Sequence, residues 1–378
     1  HYYPGGFLYA DTPILPTAAF VGSPNGTLDV EPPTGTPVIY SIAGTTAGVA
    51  GCPTCASVDP TLAGSYVRNS TDVVTLTSRG TVHVMDPDYH LYGSANTVER
   101  DFGFGAAGTG STVKLIDELG ASYDLSTLSG SDIHWSNSTI TFKLPISIAN
   151  GVAKQLQLLV VRAGGKTSPI GVTLQYEPDA SKVHFVPPVD YTFTPPGGLP
   201  PTPIQDAIDA SAPGDLVVVP ISPYDWNENP IIDRPIRMQG AGFGTVLRAN
   251  PTPDTRMQMW HDKIAALMGD GNNPFSANEC PGFMVFGLDD GFYTYTLDQN
   301  GTVVPKAPFA APRIDGFQIV GALQGGGISV FNGTANLHIS NNRIFGNRNN
   351  GGGGGISIGM ESTLGVTYNN TNLVIEFN

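Results

Sequence analysis

Two hydrophobic rhythms divide this chain. Through the first half, short β-branched runs alternate apolar and polar residues, as half-buried strands do. The clearest are Val38–Ile42, Val73–Thr77, Val113–Ile116, Ser138–Pro145, Leu156–Val161 and Gly171–Gln175. Six such runs separated by Gly- and Pro-rich stretches predict a β-sandwich over residues 36–176. Residues 1–35 show no sustained period and read as an extended arm or the tail of a preceding domain. Pro187-Pro188 and Pro195-Pro196-Gly197-Gly198 mark residues 177–198 as a linker.

The second rhythm is long. Ile314-x-x-Phe317-x-Ile319-x-Gly321 returns as Ile339-x-x-Asn342-x-Ile344-x-Gly346, an offset of 339 − 314 = 25 residues. Gly325-Gly326-Gly327-Ile328-Ser329 returns at Gly353–Ser357, and Leu337-x-Ile339 returns as Leu373-x-Ile375. A repeat of this length signals a solenoid, in which aliphatic side chains of successive coils pile up inside and Gly and Asn turn the corners. Residues 199–378 are therefore predicted to form the N-terminal part of a right-handed parallel β-helix, with Ile319, Ile344 and Ile375 stacked in one internal column. Gly240-x-Gly242-x-Gly244 lacks the βαβ setting of a dinucleotide loop and reads as a corner turn.

Two helices are expected. Thr202 as N-cap, Pro203 at the first position and Gln205 three residues after the cap open a short helix that Pro213-Gly214 ends. It is suited to cover the first coil of the solenoid. An insertion at about 250–311 carries a second helix, Asp254 to Met268, with Met257, Trp260, Ile264 and Leu267 on one stripe. That stripe is read as packing onto the solenoid.

Composition sharpens the picture. Among 378 residues there are 47 Gly and 32 Pro, 13% charged residues and a net charge of −14. So few dispersed Lys and Arg make nucleic acid an unsuitable partner. No run of apolar residues is long enough to span a bilayer. The acidity is compatible with Ca²⁺, but Asp289-Asp290 lacks the spaced oxygen ligands of a dedicated loop, so no cofactor is expected. Cys52 and Cys55 lack a second metal-ligand pair and read as a local disulfide in a loop, with Cys280 left alone. The chain starts abruptly at His1-Tyr2-Tyr3-Pro4 and Asn378 falls in mid-pattern, which reads as a piece of a larger protein.

The strings "PVIYSI", "IHWSNSTITFKLP" and "LQLLVVRAGGKTSPIGVTL" are similar to the IPT/TIG immunoglobulin-like family, which implies a spacer or a protein- and glycan-contacting module without catalytic residues. From "PIQDAIDASAPGDLVVVP" through "PIRMQGAGFGTVL" to "LHISNNRIFGN", the chain resembles bacterial right-handed parallel β-helix proteins of the pectin-lyase-like superfamily. With "HYYPGGFLYADTP", "ERDFGFG" and "WHDKIAAL", the layout also resembles the β-helix region of very large secreted bacterial proteins classed as multicopper oxidases, some linked to manganese oxidation. The seven histidines are scattered and form no His-x-His or His-Cys-His motif, so any copper of such a parent is expected to be held elsewhere.

The 25-residue alignment sets Arg313 over His338, Asp315 over Ser340 and Gln318 over Arg343, with Glu376 one rung further in the Asp315 column. These positions alternate with inward isoleucines and are predicted to face outward. Two rungs place Asp315 and Glu376 about 10 Å apart, near the upper edge for an inverting glycosidase. On a functional reading they are acid and base, with Arg313, His338 and Arg343 binding substrate. The plainer reading, an ordinary solvated column, is preferred. The resulting expectation is a non-catalytic structural or glycan-recognition fragment of a large secreted bacterial protein, contacting polysaccharide or neighbouring domains. A polysaccharide lyase or glycoside hydrolase is the enzymatic rival, and accessory architecture of a giant copper oxidase is the third reading.

Overall fold

A computed structural model describes residues 29, 31–45, 64–87, 96–191, 199–249, 254–268, 275, 279–287, 295–297, 303–305, 311–331, 333–349, 353–359, 370 and 372–378. Cys52, Cys55 and Asp289-Asp290 lie outside the described residues. Cys280 is a buried free thiol.

The six predicted runs of the first half form strands in two facing sheets. One sheet orders Ile39–Thr45, Val73–Ser78, Thr139–Lys143 and His134–Trp135. The other orders Tyr66–Val67, Val172–Tyr176, Lys154–Val161, Thr112–Ile116 and Ser122–Asp124. Alternate residues of both sheets meet in one core, where Ile42, Leu76, Ile140 and Phe142 pack with Leu115, Leu156, Leu158 and Leu174. A hairpin of Thr81–Met85 and Thr97–Asp101 fills part of the long stretch that the hydrophobic pattern left blank.

The second half is a parallel β-helix. Its first sheet stacks six parallel strands: Val183–Phe185, Leu216–Val219, Arg237–Gly240, Arg313–Asp315, His338–Ser340 and Val374–Glu376. A second stacks Ile231–Ile232, Phe283–Val285, Ile328–Val330 and Ile356–Ile358. A third stacks Val246–Arg248, Gln318–Val320 and Arg343–Phe345. Val183–Phe185 lies inside the stretch expected to be a linker, yet it pairs with Leu216–Val218 as the first rung.

Inside, Val217, Met238, Ile314, Ile339 and Ile375 form one column of the first sheet. Leu247, Ile319 and Ile344 form another, in the third sheet. Ile375 therefore stacks on Ile339 rather than on Ile344, and the single column expected from the repeat is two. Ile319 is fully buried, whereas Ile375 is 46% exposed because its rung is the last. Each enclosed isoleucine stabilises the solenoid by roughly 1.5–3 kcal/mol relative to exposure. Asparagines stitch the corners: Asn342 Oδ1 accepts from Phe317 N at 3.1 Å and Asn347 Oδ1 from Ala322 N at 3.0 Å, each one rung back.

Helix α1 (Pro203–Ala210) buries Ile204 and Ile208 in the solenoid core and covers its first rungs. Thr202 makes no side-chain capping bond. The cap comes from Glu228 instead, whose carboxylate accepts from Ile204 N and Gln205 N, both at 3.1 Å. Gln205 spends its amide on Ile231 and Asp209. Helix α2 (Asp254–Met268) lays Trp260 and Ile264 over Ile231, Met284 and Phe286 on the outer side of the second sheet.

The sandwich touches the solenoid at a corner. Ile42 N donates to Ala241 O and Gly244 N to Tyr40 O, both at 2.8 Å. Gly242 has φ +104°, and a Cβ there would lie 3.0 Å from Tyr40 O. Only glycine suits a left-handed backbone that another chain segment approaches this closely.

Candidate functional site

Much of the outer face of the first solenoid sheet is covered by the sandwich. Strands Lys154–Val161 and Val172–Tyr176 turn Leu156, Leu158, Val172 and Leu174 into the sandwich core, so their alternate residues point the other way. Gln155, Gln157, Thr173 and Gln175, with Glu177 beyond, meet the outward residues of the solenoid in a buried polar seam. Arg237 Nη2 reaches Glu177 Oε2 at 2.8 Å, and Gln175 Nε2 donates to Gln239 Oε1 at 2.8 Å. Arg313 Nε donates to Gln155 Oε1 at 2.7 Å, and the amides of Gln157 and Asn341 pair at 2.6 and 2.7 Å.

Asp315 lies at the centre of this seam with 0% exposure. Its carboxylate accepts from Thr173 N (2.9 Å), Thr173 Oγ1 (2.7 Å), Gln239 Nε2 (3.0 Å), Ser340 Oγ (2.8 Å) and Asn341 Nδ2 (2.7 Å). Arg313 Nη1 stands 3.4 Å away. A buried carboxylate needs this many donors, because stripping it of water without replacement is costly. The strand register sets Asp315, Ser340 and Glu376 on successive rungs of one column. The column is outward, but the expectation that it faces solvent fails for Asp315: the sandwich covers it, while Glu376 remains exposed. The two carboxylates therefore share no open groove.

At one end of the seam the modules part, leaving a cleft of about 860 Å³. Its polar lining is Asp117, Glu118, Gln155, Gln157, Arg313, His338 and Glu376, and its apolar lining includes Ile116, Leu119, Val152 and Phe377. Arg313, His338 and Glu376, singled out by the rung alignment, thus meet here. Arg343 does not: it lies on the third sheet, where Nη2 donates to Glu31 Oε1 at 2.6 Å.

Within the cleft, His338 Nδ1 lies 3.3 Å from Arg313 Nη2, an arrangement that needs a neutral imidazole accepting from the guanidinium. Desolvation, reinforced by the Arg313 charge, pushes the His338 pKa down to about 4. Glu118 Oε1 accepts from Gln155 N at 3.0 Å. The residue keeps solvent contact, yet partial desolvation of its carboxyl raises the pKa against the opposing pull of that N–H and of Arg313. Asp117 closes the turn beneath, accepting from Leu119 N, Ala121 N and Tyr123 Oη. Sequence reasoning missed Asp117 and Glu118, because Ile-Asp-Glu-Leu-Gly reads as a hairpin turn and nothing in the solenoid repeat points to it.

A second cavity of about 210 Å³ lies between α1 and α2. Its buried acid is Glu228, which accepts from Tyr191 Oη at 2.5 Å besides capping α1. Burial pushes the Glu228 pKa up to about 7, against the lowering effect of its donors and of Arg256. Among the described residues, no cluster of three or more His, Cys, Asp or Glu could hold a metal ion, and no helix is long and apolar enough to cross a membrane.

The fold defines a parallel β-helix protein with a two-sheet sandwich sealed to its outer wall. No family model and no curated protein matches the chain. Among solved structures, a family 28 exopolygalacturonase from Yersinia enterocolitica is similar at 13% identity and a TM-score of 0.24, over 82% of this chain and 62% of that one. The chain thus spans less than two thirds of that enzyme's length. The parallel rungs define the solenoid independently of this likeness.

Proposed function

We propose that this chain is a non-catalytic structural unit of a large secreted bacterial protein, contacting glycan through the cleft between its two modules. The enclosure of Asp315 carries this reading. A general acid or base must reach its substrate, and every route to this carboxylate is closed by Thr173, Gln239, Ser340 and Asn341. The cleft itself has the size of a small-ligand site and combines hydrogen-bonding side chains with an apolar floor, as sugar rings require. The sandwich acts in this reading as an IPT/TIG-like spacer. The same rigid architecture would serve a giant copper oxidase whose metal ligands lie outside this chain.

One observation favours an enzymatic alternative: Glu118, whose pKa is raised, and Glu376 line the same cleft. A polysaccharide lyase or hydrolase would then use these two rather than Asp315. Incubation with a panel of polysaccharides, polygalacturonate included, separates the readings. Reversible binding without new reducing or unsaturated ends is expected. Turnover that Glu118→Gln or Glu376→Gln abolishes would establish the enzyme, and a panel with no binder would remove the glycan role.

A further inference from the structure

Asp29 and residues 31–35 lie at the junction of the two modules, gripped by arginines from both. Arg79 Nη1 and Nη2 donate to Glu31 Oε2 and Oε1 at 2.5 and 3.2 Å, and Arg343 Nη2 donates to Oε1 at 2.6 Å. Arg100 clasps Asp29 at two points, 2.9 and 2.8 Å. Burial works to raise the Glu31 carboxyl, and the two arginines overcome it and hold it below the ordinary range.

Three features make this more than surface ion pairing. Two of the three guanidiniums are seated on aromatic rings: Arg79 lies 5.0 Å from the Phe102 centroid, and Arg343 lies 4.7 Å from Phe345 and 5.7 Å from Phe243. Those rings belong to the body of the protein, so Arg79 and Arg343 are positioned whether or not the segment is in place. Their side chains are only 11 to 23% exposed. Three part-buried cations converging in a chain of net charge −14 repel one another unless carboxylates stand between them. Finally, the body also grips the segment by its main chain. Arg100 Nη1 donates to the carbonyls of Glu31 and Pro32, Lys166 Nζ donates to Thr34 O at 2.8 Å, and Gly35 N donates to Asp101 O at 2.7 Å.

We propose that Arg79, Arg100 and Arg343 form a recognition site for an acidic Asp-x-Glu segment of a partner protein, which the chain's own Asp29, Glu31 and residues 32–35 occupy in cis. Bidentate arginines select carboxylates, and the main-chain contacts select a peptide over a polysaccharide. A tethered occupant sits at an effective concentration on the order of millimolar. An external segment would therefore have to displace Asp29 and Glu31 to enter.

The test titrates full-length chain with a fluorescein-labelled peptide of its own residues 27–36, followed by anisotropy. The Asp29→Ala/Glu31→Ala variant is expected to bind at least about tenfold tighter than wild type, since its site no longer has a competing occupant. Added salt should weaken that binding, and a further Arg343→Gln should remove the gain. A variant that melts like wild type yet binds the peptide no tighter would overturn the proposal, as would equal binding of a peptide carrying Gln at both acidic positions. If the double variant melts early, Glu31→Gln alone is read by the same criteria. Polygalacturonate binding where the peptide fails would overturn the peptide class.

Discussion

The seam and the cleft are built from the same solenoid strands, yet they are opposite environments. In the seam, outward side chains are enclosed and bonded to the sandwich. A few residues along, Arg313 and His338 border open space and Glu376 stands exposed. The difference teaches that outward-facing and solvent-facing are separate properties in a solenoid. The strand pleat sets the first, and whatever packs on the wall sets the second.

Three experiments press on that contrast. The largest effect is expected from Glu177→Ala, which leaves Arg237 buried at 1% exposure without its carboxylate. Loss of about 3–5 kcal/mol in urea unfolding is expected, whereas Glu177→Leu with Arg237→Met should be near neutral. Equal losses for the single and double variants would show that the pair is not enclosed. Next, Asp315→Asn should cost about 1–3 kcal/mol, because its donors lose a charged acceptor. Glu376→Gln in the same column should stay within about 0.5 kcal/mol. Similar values for the two would erase the distinction between seam and cleft.

The third experiment is a pH dependence. His338 titrates at about 4 in the folded chain, against an ordinary 6.5. Between those values the unfolded chain binds a proton that the folded chain refuses. The stabilisation from this group is therefore complete above pH 6.5 and declines as pH falls toward 4. Urea midpoints at pH 7.5 and 4.5 should differ less in His338→Gln than in wild type. An unchanged difference would mean the imidazole is open to water.

The interior was legible in the sequence because burial demands aliphatic residues at each rung, and Ile314, Ile339 and Ile375 satisfy it visibly. The exterior was not. Arg313, Asp315 and Ser340 are polar whether water or a polar wall covers them, so the repeat alone cannot separate the cases. A fainter signal lay on the sandwich side. Gln155-x-Gln157 and Thr173-x-Gln175 offer uncharged amides and a hydroxyl where an exposed strand face more often carries Lys or Glu. The first rung was missed for another reason: Val183–Phe185 is three residues long, too short to show a period, and prolines follow it closely.

The linked contacts of Thr173 with Asp315, Gln175 with Gln239 and Glu177 with Arg237 lie side by side across the seam. A force drawing the sandwich along the solenoid wall would load all of them in shear at once. They would share the load and yield together, so under such a force the two modules would move as one body until the whole row gave way.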